Sequence, residues 1–136
     1  MRTDPRLLRQ LDTVCRLRQV AQDGAHVRLH EQRELLLQAT ERGRQADARE
    51  AAHRQAQAGR WQAGATVQPL DHHLGLAHAR ELQQLAQDAA AARALAEQAA
   101  EAARAEWLQA RLQHEALAAE RRRHLRAWLH RREREH

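Results

Sequence analysis

The residues of this chain with the chemistry to bind or react are its ten histidines, its 23 arginines (lysine is absent), Cys15 and three tryptophans. His26 and His30 stand one helical turn apart with Glu34 a further turn on, and His72, His73 and His78 cluster later; both sets carry the donor types of a zinc site. A zinc-protease helix needs His-Glu-x-x-His, whereas His30-Glu31-Gln32-Arg33-Glu34 ends in a carboxylate. The histidines therefore read as solvated side chains of a polar helix, and no metal or other cofactor is expected. Serine is absent, Cys15 has no histidine paired with it, and no glycine-rich phosphate loop occurs, so no catalytic residue is expected either.

Binding is the remaining chemistry. Arg121, Arg122, Arg123, Arg126, Arg131, Arg132 and Arg134 could grip phosphates, but Glu120, Glu133 and Glu135 interleave them and only Trp128 could stack on a base. Trp107 and Trp128 fall on or near an apolar stripe and read as core. Trp61 sits in a break in the pattern, where an aromatic either anchors a partner or staples the turn.

The elements that position these residues follow from composition. Phe, Tyr, Ile, Ser and Asn are absent, 30 residues are alanine, and 30% of the chain is charged. A sheet has almost nothing to be built from, whereas Ala, Leu, Arg, Gln and Glu are the strongest helix formers. The one concentration of breakers is Gly59 to Asp71, with Gly59, Gly64 and Pro69. The sequence thus predicts an all-α fold: two long helices forming an antiparallel coiled-coil hairpin, with helix 1 over about 5–58, a turn over 59–68 and helix 2 over about 69–133. Asp4 is the expected N-cap, Pro5 and Pro69 suit first helical positions, and Gly24 and Gly43 lie inside a continuous helix 1 as the two points where it could bend.

In helix 1 a 3-4 spacing picks out Leu8, Leu11, Cys15, Ala25, Leu29, Leu36, Ala39, Gly43 and Ala46, interrupted by Arg18, Gln22 and Gln32. In helix 2 it picks out Leu82, Leu85, Ala89, Ala92, Ala96, Ala99 and Ala103. An extra step of four, a stutter, then leads to Trp107, Ala110, His114, Leu117, Arg121, His124 and Trp128. Folding back at the turn makes facing residue numbers sum to roughly 131. That sets Leu35 to Leu37 beside Leu95, and Leu7, Leu8 and Leu11 beside Leu117, Leu125, Trp128 and Leu129. Each arm would be about 85 Å long at 1.5 Å per residue.

Residues 1–18 carry five Arg against two Asp, and residues 121–136 carry seven Arg against two Glu. The hairpin brings these stretches together, so its open end is expected to be basic and to meet an acidic or phosphate-bearing partner. The lone cysteine leaves no intramolecular disulfide, no apolar run approaches a membrane span, and the first residues lack a signal-peptide pattern. Those features predict a cytoplasmic protein.

Three stretches carry a resemblance: Gly59-Arg60-Trp61; Leu70-Asp71-His72-His73-Leu74; and Glu106-Trp107-Leu108 followed by Arg123-His124-Leu125-Arg126-Ala127-Trp128. In these, and in its two-helix plan, nearly the whole chain resembles the FliJ/YscO (SctO) family of type III secretion stalk proteins. The resemblance implies a hairpin similar to the γ subunit of F-type ATPases, inserted by its terminal end into the hexameric export ATPase. The turn end would approach the export gate protein and, in some members, secretion chaperones. It assigns Arg6, Arg9, Arg121, Arg122, Arg123 and Arg126 to the ATPase contact. Trp61, Leu70 and Leu74 fall to the gate or chaperone contact, with Leu where flagellar members have larger aromatics. The short length and scarcity of aromatics lean towards an injectisome. The alternatives from the residues alone are a basic hairpin binding nucleic acid, and an oligomerising coiled coil in which Leu35 and Leu37 pair chains.

Overall fold

The computed structural model describes residues 4–64 and 68–135, which form two helices, α1 (Pro5–Gln62) and α2 (Pro69–Arg134), packed as an antiparallel hairpin. The N-terminus of α1 is capped as its sequence dictates: the Asp4 carboxylate accepts from the Arg6 N–H at 3.1 Å, and the Asp4 carbonyl accepts from Leu7 and Leu8. At α2, Gln68 accepts from the His72 N–H at 3.0 Å, Pro69 occupies the first helical position, and Asp71 adds negative charge to the opening turn.

α1 runs four residues beyond the expected limit of 58, through Gly59 to Gln62. A glycine weakens a helix but does not end one. The stop comes at Gly64, whose φ of +66° closes the last turn with a bond from its N–H to the Trp61 carbonyl. Trp61 therefore belongs to the last turn of α1, while Ala65, Thr66 and Val67 of the expected turn lie outside the described residues. α1 is also unbroken through Gly24 and Gly43.

The chain divides into two compact units, one made of the stretches up to Glu31 and from Glu101, the other of Gln32–Ala100. In the first, cross-helix pairs are Asp12–Arg121, Arg18–Gln113, His26–Trp107 and Arg28–Glu106, whose numbers sum to 131–134. Its buried residues are Ala25, Leu29 and Ala103. In the second, His53–Gly75, His53–His78 and Trp61–His72 sum to 128–133, and the buried residues are Ala39, Leu82 and Ala100. The expected pairing register holds within each unit.

The α1 stripe is the predicted one, and it includes the polar interruptions Gln22 and Gln32, which are half-buried in line with Ala25 and Leu29. On α2 the expectation fails in one place. Leu85 is 51% exposed and Ala92 is exposed, whereas Ala86 is half-buried and Ala100 is 9% exposed. The inward-facing row is Leu82, Ala86, Ala89, Ala96, Ala100, Ala103 and Trp107, all buried or half-buried and in phase with the residues beyond Trp107, so no stutter is present. The 3-4 spacing picks out Leu85, but the phase of the facing helix decides which residue points inward, and that residue is Ala86. For the same reason Leu35, Leu37 and Leu95 are exposed rather than packed together, and Leu129 is 47% exposed.

Three substitutions check this description. Leu29 is 3% exposed, and Leu29→Ala should cost about 2 kcal/mol in denaturant unfolding, near the low end for a buried leucine because only one helix surrounds it. A Cβ on Gly59 would meet nothing within 4 Å, so Gly59→Ala should stabilise by about 0.5–1 kcal/mol. Gly64→Ala should instead destabilise by about 1 kcal/mol, because its positive φ disfavours any Cβ.

Candidate interaction surfaces

In the first unit the acidic side chains decide which arginines are left available. Asp12 pairs with Arg16 at 3.0 Å and, across the helix pair, with Arg121 at 3.3 Å, so Arg121 is drawn inward and half-buried. Glu120 pairs with Arg123 and accepts from His124 Nε2 at 3.0 Å. The His124 bond first, then the charge of Arg123, hold the Glu120 carboxyl below its ordinary pKa of 4.5. Arg132 lies over the Trp128 ring at 5.2 Å and Arg111 over Trp107 at 5.6 Å, which shields both half-buried indoles.

Arg6, Arg9, Arg122 and Arg126 are exposed and make no ion pair among the described residues. Of the six arginines singled out from sequence, these four are the ones left exposed and unpaired among the described residues. The stretches up to Glu31 and from Glu101 contain 15 arginines and ten carboxylates; Gln32–Ala100 contains eight of each. The excess of positive charge is confined to the terminal unit. Arg126 also borders a shallow groove of about 210 Å³ with Leu129, His130 and Glu133, which share one face of α2.

In the second unit Trp61, Leu70 and Leu74 are 60%, 66% and 58% exposed. The structure does not bring all three together. Trp61 meets the edge of His72 at 5.9 Å and lines a cleft of about 250 Å³ with His53, Gln57, Gly75 and Leu76, whereas Leu70 and Leu74 lie outside that cleft. His53 is held there by a bond between its Nε2 and the Gly75 carbonyl at 3.2 Å and by an edge contact with His78 at 4.9 Å. A Cβ on residue 75 would fall 2.5 Å from Nε2 of Gln57, so glycine there gives Gln57 its seat. The stripe read from the sequence ends at Ala46, and the signal for His53 and Gln57 is the continuation of its 3-4 spacing through Glu50.

Among the described residues no group of three or more His, Cys, Asp or Glu side chains is arranged to hold a metal ion. No helix is long and apolar enough to cross a membrane. No protein-family model, curated protein or solved structure matches the chain.

The Glu120 cluster gives a pH dependence with a fixed sign. A carboxyl whose folded pKa lies below its unfolded value stabilises the fold above the unfolded value, and that stabilisation is lost as pH falls through the folded one. Glu120→Gln should therefore melt slightly below the wild type at neutral pH, and the two melting curves should converge below pH about 4.5. Because the pair is exposed to solvent, added salt should shrink the difference.

Proposed function

We propose that this chain is the central stalk of a type III secretion export apparatus, of the FliJ/YscO (SctO) kind, in an injectisome. Its terminal helix pair inserts into the hexameric export ATPase, and its turn end contacts the export gate protein, with secretion chaperones as further partners there. The stalk works in the cytoplasm against the inner-membrane secretion machinery and has no active site of its own. Its part is mechanical: one asymmetric helix pair inside a sixfold ring favours a different conformation in each ATPase subunit and couples hydrolysis to the gate.

The observation that carries this reading is the terminal unit, where two helix ends pack in register and leave Arg6, Arg9, Arg122 and Arg126 exposed without an ion pair among the described residues. Such a surface suits an acidic lining, where each exposed pair formed is weak but several act together. The exposed Trp61 at the end of α1, over a cleft it shares with Leu76, is the aromatic anchor for the second contact.

The test is stimulation of the cognate export ATPase. Arg122→Glu with Arg126→Glu should abolish it while leaving helicity by circular dichroism unchanged, because both side chains are exposed and neither holds an ion pair among the described residues. Arg121→Glu should in addition lower the melting temperature, since it sets a carboxylate against Asp12. Full stimulation by the Arg122/Arg126 double variant would overturn the reading.

A further inference from the structure

The two sides of the Gln32–Ala100 helix pair differ in how their charges are satisfied. On one side, around a groove of about 590 Å³ lined by Thr40, Arg44, Asp47, Arg93 and Glu97, the arginines are neutralised locally: Arg44 by Glu41 at 2.6 Å and Arg93 by Glu97 at 3.1 Å. The other side has a groove of about 220 Å³ with Ala46, Leu82 and Ala89 as its floor and Arg42, Arg49 and Leu85 at its rim. Arg42 and Arg49 are exposed and make no ion pair among the described residues. Leu35, one heptad before Arg42, is 50% exposed, and Leu85 is 51% exposed.

The α2 rim of this second groove carries a matching row. Glu81 and Asp88 flank Leu85 at the i−4 and i+3 positions, and Leu95 follows Asp88 by one heptad at 67% exposure. Among the described residues the polar partners of Glu81 and Asp88 are His78, at 3.8 Å, and Gln84, at 2.9 Å, and neither carboxylate pairs with an arginine there. One rim is thus Leu-Arg-Arg at heptad spacing (Leu35, Arg42, Arg49), and the other is Leu-Asp-Glu at the same spacing (Leu95, Asp88, Glu81).

We propose that this face is the docking surface for a second copy of the chain, related by a two-fold axis parallel to the helices. Such a rotation keeps each residue at its height and exchanges α1 for α2. Residues at one height in this unit have numbers summing to 128–133. Leu35, Arg42 and Arg49 then meet Leu95, Asp88 and Glu81 of the second copy, every pair summing to 130, and the reciprocal contacts form by symmetry. The perpendicular two-fold axis is disfavoured, because it would set α1 against α1 and arginine against arginine. Little apolar area is available beyond Leu35, Leu85 and Leu95, so charge selects the geometry and the association is reversible and weakened by salt. The inference does not rest on the stalk reading; a stalk held singly in a ring would be in exchange with this paired form.

Sedimentation velocity of the full chain over a concentration series at low salt tests it. The wild type should self-associate. Arg42→Glu with Arg49→Glu should abolish association, and so should Glu81→Arg with Asp88→Arg, both with unchanged helicity since all four side chains are exposed. An equimolar mixture of the two double variants should associate again, because each then offers the complement of the other. A wild type that stays monomeric up to its solubility limit overturns the proposal. So do double variants that associate like the wild type, or a mixture that stays monomeric.

Discussion

A helix with one neighbour can bury only the stripe of side chains that faces it, and that limit governs both units of this hairpin. Among the described residues six apolar side chains are buried, four of them alanine, whereas fifteen large apolar side chains are exposed. Alanines at Ala25, Ala39, Ala100 and Ala103 let the backbones approach closely, but each methyl removes little apolar surface from water. Stability must therefore draw heavily on backbone hydrogen bonding in sequences rich in strong helix formers, with the stripe serving to choose the partner and the register.

The same limit explains why the surfaces carry the function proposed here. Leucines such as Leu35, Leu85 and Leu95 have no third element to pack against, and they stand beside charges that the hairpin does not use. Where ion pairs close within a helix, as at Glu41–Arg44 and Arg93–Glu97, the surface is self-sufficient. Where they do not, as at Arg42 and Arg49 or at Arg6, Arg9, Arg122 and Arg126, the charge is left without a partner among the described residues. A cationic surface held ready in this way chiefly speeds encounter and selects partners, and adds less to affinity.

The helix pair was legible in the sequence because its evidence is one-dimensional: composition excludes a sheet, and glycine and proline gather at a single place. The facing register was legible too, since the turn position alone determines it. The inward face of α2 was harder to read. Leu85 and Ala86 are adjacent and both apolar, and only the phase imposed by α1 selects Ala86. The same holds at the candidate surfaces. That the termini are basic can be counted, but that Arg121 is drawn to Asp12 while Arg122 is left exposed depends on a cross-helix contact with no sequence signature. At the turn end, the separation of Leu70 and Leu74 from the Trp61 cleft, which Leu76 lines instead, follows from which face of α2 each occupies.

The polar residues of the α1 stripe complete the logic. Gln22 is half-buried, and its Oε1 atom is buried without a hydrogen-bond partner among the described residues. Arg18 instead reaches out to Gln113 at 2.8 Å, and His53 bonds to the Gly75 carbonyl at 3.2 Å. An alanine-rich stripe has few features to resist a slip of one heptad, because one methyl replaces another at little cost. Arg18–Gln113 and Asp12–Arg121 in the terminal unit, and His53–Gly75 in the other, are lost on such a slip, so each polar position makes the wrong register worse than the right one. What the stripe gives up in apolar burial it recovers as a fixed alignment of the two helices. That alignment is what keeps the arginines of α1 and α2 side by side at the terminal end.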